Sequence, residues 1–333
     1  MRVEALRQRL RGLGANAFHE ARVLQAWTKL VPVGTAKQPL EQCFPLRLRQ
    51  ELPALQAELA ALATVREEHV GADDSVRMLV ALADGQTVES VLLPRDGLCV
   101  STQVGCAVGC VFCMTGKGGL LRQLGSAEIV AQVVLGRQRR PVKKVVFMGM
   151  GEPSHNLDNV LEAIDVLGTA GDIGHKNLVF STVGDRRVFE RLPEQRVKPA
   201  LALSLHTTKA DLRARLLPKA PRVDPAELLE LAERYARATR YPTQVQWTLL
   251  DGVNDGQDEL DALIALMAGK YAVLNLIPYN SNEGLGYQRP SVERSREIAR
   301  YLHRRGVLTK LRTSAGQDID GGCGQLRARA LER

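Results

Sequence analysis

The chain carries the sequence Leu98-Cys99-Val100-Ser101-Thr102-Gln103-Val104-Gly105-Cys106-Ala107-Val108-Gly109-Cys110-Val111-Phe112-Cys113. Residues 98–103 are rich in apolar and β-branched side chains, which predicts a strand. Cys106, Cys110 and Cys113 follow at once with C-x3-C-x2-C spacing. The loop after this strand therefore brings three sulfur ligands to one place.

Three thiolates in one loop indicate either zinc or an iron–sulfur cluster, because soft sulfur ligands select both. A structural zinc site needs a fourth protein ligand, commonly in a paired C-x2-C spacing, and the sequence has no second pair. The triplet favours a 4Fe–4S cluster that leaves one iron open to a small chelating molecule. Zinc and unligated core thiols remain the alternatives.

From residue 98 onward, short β-rich runs alternate with helical segments. The predicted strands are residues 98–103, 144–148, 178–182, 200–205, 244–250 and 272–277. The predicted helices are residues 126–138, 156–168, 186–192, 209–215 with 224–239, 257–269 and 291–305. Strands that alternate with helices predict a parallel sheet. Since a complete barrel takes eight such units in about 250 residues, we expect an α/β fold with a partial (β/α)6 barrel. A doubly wound sheet is the alternative, and residues 307–312 predict one further strand.

The first 97 residues have another pattern. Apolar residues at helical spacing across residues 6–30 and 52–62 predict small packed helices. Alternation in residues 76–80 and 87–91 predicts a β-hairpin that turns at Asp84-Gly85. The expected organisation is an N-terminal helical accessory domain at 1–70, a β-hairpin extension at 71–97, and the partial barrel with a C-terminal catalytic tail at 98–333.

Composition excludes disordered and membrane-spanning classes. Of the 333 residues, 45% are hydrophobic and 25% charged, and no apolar run approaches the ~20 residues of a membrane span. The N-terminus lacks the apolar stretch of a secretory signal, so we expect a cytoplasmic protein with no membrane partner. The net charge of +8 is concentrated in residues 1–50 and 285–333. If these ends meet, they form a positive surface able to attract RNA. Solvated arginines on helix faces are the alternative.

Several sequence blocks, in this order, resemble the RlmN and Cfr type of RNA adenine methyltransferase, within the radical S-adenosylmethionine (SAM) superfamily. The blocks are residues 98–106 with the cysteine triplet, Met148-Gly-Met-Gly-Glu-Pro153, Leu203-Ser-Leu-His206, Asp251-Gly-Val-Asn-Asp-Gly256, Asn275-Leu-Ile-Pro-Tyr-Asn280 and Asp318-Ile-Asp-Gly-Gly-Cys-Gly-Gln-Leu326. The resemblance runs from about Glu89 to the C-terminus. It implies methylation of an adenine ring carbon in rRNA or tRNA, with carbon 2 favoured over carbon 8. It also implies a 4Fe–4S cluster, SAM and an electron donor such as flavodoxin or ferredoxin.

The resemblance assigns a role to each functional group. Cys106, Cys110 and Cys113 would hold the cluster, which cleaves SAM to a deoxyadenosyl radical. Cys323, in a glycine-rich run, would carry the methyl group that is transferred. Cys99 would resolve the protein–RNA adduct through a transient disulfide with Cys323. Glu89 would accept the proton from the attacked ring carbon, a role favoured by a burial-raised pKa.

SAM offers an amino group, a carboxylate, ribose hydroxyls and an adenine edge to its pocket. Polar and glycine residues at the carboxyl ends of consecutive predicted strands match the family positions for this cofactor. They are Gly151, Glu152, Ser181, Ser204, Leu205, His206 and Asn280.

Three residues depart from the common family pattern and put the substrate in question: Met114, Val183 and Gln246. A radical SAM enzyme that acts on a peptide or small molecule is one alternative function. A non-catalytic iron–sulfur RNA-binding protein is another. Cys43 matches no motif and is interpreted as a packing residue. The basic segment 139–144 is interpreted as an RNA contact or a solvated loop.

Overall fold

The structure is a computed structural model that describes residues 1–34, 37, 39–282 and 284–328. The helices are α1 (Val3–Gly12), α2 (Ala17–Lys29), α3 (Leu40–Cys43), α4 (Leu46–Ala61), α5 (Ser126–Arg137), α6 (Leu157–Gly168), α7 (Arg186–Arg191), α8 (Ala210–Leu216), α9 (Pro225–Thr239), α10 (Gln257–Met267) and α11 (Val292–Arg304). The strands are β1 (Ala63–Val70), β2 (Val76–Leu82), β3 (Thr87–Leu93), β4 (Gly97–Cys99), β5 (Gln103–Gly105), β6 (Leu120–Gln123), β7 (Lys144–Phe147), β8 (Leu178–Thr182), β9 (Ala200–Ser204), β10 (Thr243–Leu249), β11 (Ala272–Pro278) and β12 (Thr309–Leu311).

Across the described residues, ten strands form one sheet in the order β1-β2-β3-β4-β7-β8-β9-β10-β11-β12. Every neighbouring pair from β4 to β12 is parallel, whereas the pairs from β1 to β4 are antiparallel. The predicted parallel sheet is confirmed, including the further strand β12. A doubly wound sheet reverses its strand order at a switch point. The order here never reverses, so that alternative is wrong, and in the described chain β12 and β1 remain open edges.

Two short β segments differ from the sequence prediction. Residues 63–70 form strand β1, which pairs antiparallel with β2, instead of continuing the N-terminal helices. The alternating burial of β1 was obscured because its half-buried side chains include charged residues such as Glu67. The predicted strand 98–103 is also interrupted. The chain leaves the sheet after Cys99, and β5 forms a separate antiparallel pair with β6.

Helices begin where the sequence provides caps. Asp224 accepts a hydrogen bond from the Ala226 N–H at 2.8 Å, and Pro225 occupies the first turn of α9. Ser291 accepts from the Arg294 N–H at 3.0 Å at the start of α11. Each cap satisfies a backbone donor that has no partner within the helix.

Helix α5 is buried along almost its whole length, between the sheet and helices α2 and α6. The amide of Gln132, on this helix, is fully buried. Its oxygen accepts from the Ser90 hydroxyl at 2.7 Å and the Ser101 N–H at 2.8 Å, and its nitrogen donates to the Ser101 carbonyl at 2.9 Å. Gln132 therefore fixes β3 and the segment after β4 against each other, and these are the segments that carry Glu89 and Cys99.

The N-terminal helices pack against α5 and α6, and their basic side chains meet carboxylates. The Val3 N–H donates to the Ser126 hydroxyl at 2.8 Å. Cationic residues of this region pair with acidic ones in Arg2–Glu162, Arg7–Asp165, Arg9–Glu58, Arg11–Glu20 and Lys29–Asp172. Much of the positive charge of residues 1–50 is therefore neutralised within the protein.

Residues 139–143 of the basic segment precede the amino end of β7. Arg139 pairs with Glu68, and Lys143 pairs with Asp96 at 2.8 Å. Arg140 donates to the carbonyls of Asp74 at 2.8 Å and Leu93 at 2.9 Å. These three cations join the hairpin region to the sheet, so their role here is structural.

We expect Gln132→Ala to lower the free energy of unfolding by about 2–4 kcal/mol, because it leaves the buried Ser90 hydroxyl and Ser101 peptide groups without partners. Urea denaturation measures the change. Gln138→Ala at the exposed end of the same helix is the control and should change stability by less than about 0.5 kcal/mol. Equal stability of the two variants would contradict the role of Gln132 in fixing β3 against the segment after β4.

Candidate active site

The cysteine loop is held between the β5–β6 hairpin and the loop after α8. The Cys106 N–H donates to the Gly119 carbonyl at 2.9 Å, and the Val111 N–H donates to the Leu216 carbonyl at 3.1 Å. Gly105 has φ +80°, and a Cβ there would lie 2.0 Å from the Gly119 oxygen. Only glycine permits this close approach, which turns the chain from β5 into the loop.

Cys106, Cys110 and Cys113 line a cavity at the carboxyl ends of the parallel strands. Burial raises the pKa of Cys106 to about 12, and burial and the neighbouring thiols raise the pKa of Cys110 well above its usual value. Thiols in this setting become thiolates only with strong compensation from a bound cation. In the described residues, no three His, Cys, Asp or Glu side chains converge closely enough to hold a single metal ion. A preformed mononuclear zinc site is therefore absent from this part of the chain.

Gly151 and Glu152 follow β7 and enter the same cavity. Gly151 has φ +101°, and a Cβ there would lie 2.6 Å from the Gln103 side chain. The buried Glu152 carboxylate accepts from the N–H groups of Ser154 and Val183, both at 3.1 Å. Burial nevertheless raises the pKa of Glu152. The carboxylate is thus held in a fixed orientation at the cavity wall, as a group that binds a ligand amino group requires.

Ser181, Ser204 and His206 line the cavity at the ends of β8 and β9, as predicted. The His206 Nδ1 accepts from the Thr248 N–H at 3.0 Å. Burial, and then the charge of Arg213, lower the pKa of His206 to about 3. The imidazole is therefore neutral, and because Nδ1 is an acceptor, its proton is on Nε2. The Nε2–H of His206 is therefore available to donate to a ligand in the cavity.

Leu205 differs from its neighbours. Its side chain is fully buried in the hydrophobic core and does not line the cavity. Its N–H already donates to the Gln246 carbonyl at 3.1 Å. A part for Leu205 in ligand binding would therefore be limited to its carbonyl.

Asn280 connects the end of β11 to the C-terminal tail. Its Nδ2 donates to the Ser314 hydroxyl at 2.9 Å and to the Cys323 carbonyl at 3.0 Å. Its Oδ1 is buried and has no protein donor among the described residues. A buried acceptor without a partner is costly, so this oxygen fits a donor supplied by a bound ligand.

The tail that carries Cys323 is hydrogen-bonded to the cysteine loop. The Met114 N–H donates to the Gly324 carbonyl at 2.8 Å, and the Thr115 hydroxyl donates to the Leu326 carbonyl at 2.6 Å. At Gly322, a Cβ would lie 2.5 Å from the Gln325 side chain and 2.9 Å from Asn280. The small residues of the tail are therefore needed for it to close over the loop.

Cys323 faces the cavity from the tail, and Cys99 lies nearby at the end of β4. Burial raises the pKa of Cys323, while a hydrogen bond with Ser314 and the charge of Arg312 oppose this effect. Burial, and then the proximity of Cys323, raise the pKa of Cys99. The structure thus brings together two thiols that are far apart in sequence. All six cysteines are free, so the predicted transient disulfide is not formed here.

Glu89 lies on β3, fully buried. The Arg77 Nε donates to its Oε1 at 2.6 Å, and the Arg327 N–H donates to its Oε2 at 2.7 Å. Burial raises the pKa of Glu89, whereas the charge of Arg77 lowers it. The expected direction of the shift is present, and the tail contact places Glu89 beneath the segment that carries Cys323. Glu89 and Cys99 do not themselves line the cavity.

Two buried arginines of the site were missed from the sequence. Arg77 was hidden in the apolar alternation of β2, where a charge on a buried strand was itself the signal. Arg213 on α8 donates to the Ser204 carbonyl at 3.1 Å and to the Val183 carbonyl. Burial lowers the pKa of Arg213 to about 10, and the neighbouring Cys110 and Glu152 raise it. No pattern distinguished Arg213 from the exposed Arg215 of the same helix.

A sheet whose strand ends surround three cysteines of one loop is the architecture of radical SAM enzymes, and the model of the radical SAM superfamily matches residues 100–264. A probable RNA methyltransferase of Aromatoleum aromaticum is 71% identical, over 99% of this chain and 93% of its own length. Another, from Methylibium petroleiphilum, is 71% identical over 99% and 94%. A radical SAM methyltransferase from Sphaerobacter thermophilus has a crystal structure that aligns with a TM-score of 0.84 at 32% identity, covering 99% of this chain and 98% of that one. The chain belongs to the radical SAM RNA methyltransferases, and the predicted family is confirmed.

Membership implies a 4Fe–4S cluster and SAM, and the residues present fit both. Three thiols of one loop that line one cavity suit a cluster, which takes thiolates on separate irons. The fixed Glu152 carboxylate, the Nε2–H of His206 and the unsatisfied Asn280 oxygen suit the polar groups of SAM. RNA is the substrate class of this family. No helix in the described chain is long and apolar enough to cross a membrane.

We expect Cys106→Ala, Cys110→Ala and Cys113→Ala each to abolish the visible absorbance of the cluster after anaerobic reconstitution, because a cluster with two protein ligands is not retained. Cys43→Ala is the matched control and should keep it. Iron and sulfide analysis, with circular dichroism to confirm folding, measures the outcome. A normal iron content in the Cys110 variant would contradict the assignment.

Proposed function

We propose that this enzyme methylates carbon 2 of an adenine in rRNA or tRNA through a methylcysteine on Cys323. The observation that carries the proposal is the position of the tail. Hydrogen bonds from Met114 and Thr115 hold it against the cluster loop, and Cys323 faces the same cavity as Cys106, Cys110 and Cys113. An enzyme that only cleaved SAM would need no thiol there.

Cys323 is suited to accept a methyl group. Its side chain is exposed to the cavity, and the Ser314 hydrogen bond and Arg312 charge favour its thiolate against the cost of burial. A thiolate displaces the methyl group of a sulfonium by ordinary substitution. When bound, the cluster and a second SAM supply a radical that removes a hydrogen atom from this methyl group. The adenine ring carbon is not a nucleophile, which is why radical chemistry is needed.

Glu89 and Cys99 would complete the reaction from behind the tail. Glu89 accepts the proton of the attacked ring carbon, and its raised pKa brings it nearer to neutral pH, where a general base is most effective. Once the adduct has returned one electron to the cluster and lost this proton, the Cys99 thiolate attacks the sulfur of Cys323. The sulfur–carbon bond breaks, the released methylene carbon takes up a proton to become the methyl group, and the two cysteines are left as a disulfide. The buried Cys99 thiol has a raised pKa, so its attack requires the tail to move or a proton to be removed first.

The proposed chemistry also depends on an electron donor and on the choice of RNA. Cluster reduction needs a low-potential electron donor such as flavodoxin or ferredoxin, and we propose the cytoplasm, where such donors and RNA meet, as the place of reaction. Val183 and Gln246, which depart from the family pattern, both line the cavity. They therefore lie where they would affect the choice of substrate, and we propose a target distinct from that of the housekeeping members.

The function is tested by mass mapping of modified adenosines in rRNA and tRNA from a strain that lacks the gene. We expect one 2-methyladenosine to disappear and to return with the wild-type gene. Loss of 8-methyladenosine instead would correct the ring position. An unchanged pattern in both RNA classes, in cells shown to express the enzyme, would contradict the proposal.

We expect Cys323→Ala to abolish methyl transfer and Cys99→Ala to accumulate a covalent protein–RNA adduct, because one thiol forms the bond and the other breaks it. Denaturing gel electrophoresis and mass spectrometry of anaerobic reactions distinguish the two. Cys43→Ala serves as the control with normal turnover. Full turnover in Cys323→Ala would exclude the carrier mechanism.

We expect Arg77→Met to move the acid limb of the methylation rate profile to higher pH. Burial raises the pKa of Glu89 and Arg77 opposes that rise, so removal of the cation raises this pKa further. The base form then exists only at higher pH. Arg77→Lys keeps the charge and should remain closer to wild type. Loss of one partner of a buried pair costs about 3–5 kcal/mol, which urea denaturation checks. An unshifted acid limb in folded Arg77→Met would contradict a role for Glu89 as the base.

A further inference from the structure

The inner face of the sheet is basic at one edge. Gln246 lines the cavity and pairs in register with Asn275 on β11, which pairs with Lys310 on β12. Residues in register on adjacent strands face the same side of a sheet. Lys310 therefore faces the cavity side. Arg312 lies two residues further on, and its N–H continues the ladder to the Leu276 carbonyl at 2.7 Å.

Lys144, the first residue of β7, faces the same side of the sheet. Cys99 pairs in register with Val146 on β7, and Cys99 lies near Cys323 of the cavity. Lys144 is two residues before Val146 on the same strand, so it shares that face. Lys144, Lys310 and Arg312 are all exposed.

These three cations act on one another. Partial desolvation of its ammonium group by neighbouring atoms, and then the charges of Arg312 and Lys310, lower the pKa of the otherwise exposed Lys144, and no carboxylate opposes them. In the part of the chain that the structure describes, none of the three forms an ion pair, unlike the neighbouring Lys143 with Asp96. Like charges held together without an anion repel, so the arrangement is explained by a ligand that supplies negative charge.

We propose that Lys144, Lys310 and Arg312 form an anion site at the open edge of the barrel that binds phosphates of the substrate RNA next to the nucleotide being methylated. The inference rests on the proposed function only in taking Cys323 as the reacting thiol. Ser314, two residues beyond Arg312, and the Cys323 carbonyl both accept from the Asn280 amide, so an anion bound by this cluster lies near the segment that carries Cys323. The charge of Arg312 also opposes the rise in the pKa of Cys323. RNA carries one phosphate per nucleotide, so a row of cations fits its backbone. Such contacts position the RNA without reading the identity of a base.

The carboxylate of SAM is the other anion that enters this cavity, and the experiment separates the two sources. Arg312 also acts on Cys323, so the test uses Lys144→Gln and Lys310→Gln. The control is Lys176→Gln, an exposed lysine at the amino end of β8. Two quantities are measured for each reconstituted enzyme. The first is the affinity for a fluorescently labelled RNA hairpin with adenosine in its loop, at several salt concentrations. The second is the KM for SAM in methylation of Cys323 without RNA.

We expect each of the two variants to bind the hairpin about fivefold to tenfold more weakly near 0.15 M salt, and to reduce the salt dependence by about one ion per cation removed. Lys176→Gln should bind as wild type does, and the KM for SAM should be unchanged throughout. Unchanged RNA affinity and salt slope would overturn the proposal, as would a raised KM for SAM with unchanged RNA affinity. Failure of the wild-type enzyme to methylate Cys323 would contradict the proposed function, while the RNA-binding arm would still decide the anion site.

Discussion

The active site depends on hydrogen bonds that tie the end of the chain to segments formed much earlier in it. The carbonyls of Gly324 and Leu326 accept from the cysteine loop, and the Arg327 N–H donates to the buried Glu89 carboxylate. Each bond uses a backbone group of the tail, and the lack of a side chain at Gly322 lets the tail approach closely enough to form them. Where the tail detaches, Cys323 loses its place beside the cysteine loop and Glu89 loses the backbone donors of the tail.

Burial changes the pKa of the carboxylates of this site, and it also makes their ionised forms costly to keep in the folded protein. Glu89 and Glu152 are almost completely enclosed, and burial raises the pKa of both. The fold answers with Arg77 beside the first carboxylate, and with backbone N–H groups and the more distant Arg213 around the second. A buried pair adds little stability compared with apolar packing, but breaking it is expensive. Arg77 is therefore better explained as the group that keeps the buried Glu89 carboxylate oriented, while Arg213 supplies positive charge near Glu152.

The sequence predicted the architecture correctly in the regions where the local pattern of strands and helices is enough to determine how the strands pair. Runs of β-branched residues alternating with amphipathic helices give parallel strands wherever they occur, so β7 to β12 could be assigned from pattern alone. The prediction failed at β1, where charged side chains obscure the alternation, and after β4, where the strand ends because Ser101 and Thr102 bond outside the sheet. Motif positions located most of the cavity wall. They could not show that Leu205 points into the core, because its direction depends on the pairing of β9 with its neighbours.

Sequence reasoning could not find the residues whose effect depends on neighbours that are far away in the sequence. Arg77, Arg213 and Arg312 belong to no motif, and each matters because of what the fold places beside it. Charge also differs along the site. The neutral His206 lies beside Phe112 of the cysteine loop, and the charge of Arg213 is balanced by the neighbouring Glu152 carboxylate. Lys144, Lys310 and Arg312, by contrast, lie close to one another with no carboxylate between them. A wall without unbalanced positive charge suits the sulfonium of SAM, which is itself positive, whereas an unbalanced basic edge suits a polyanion.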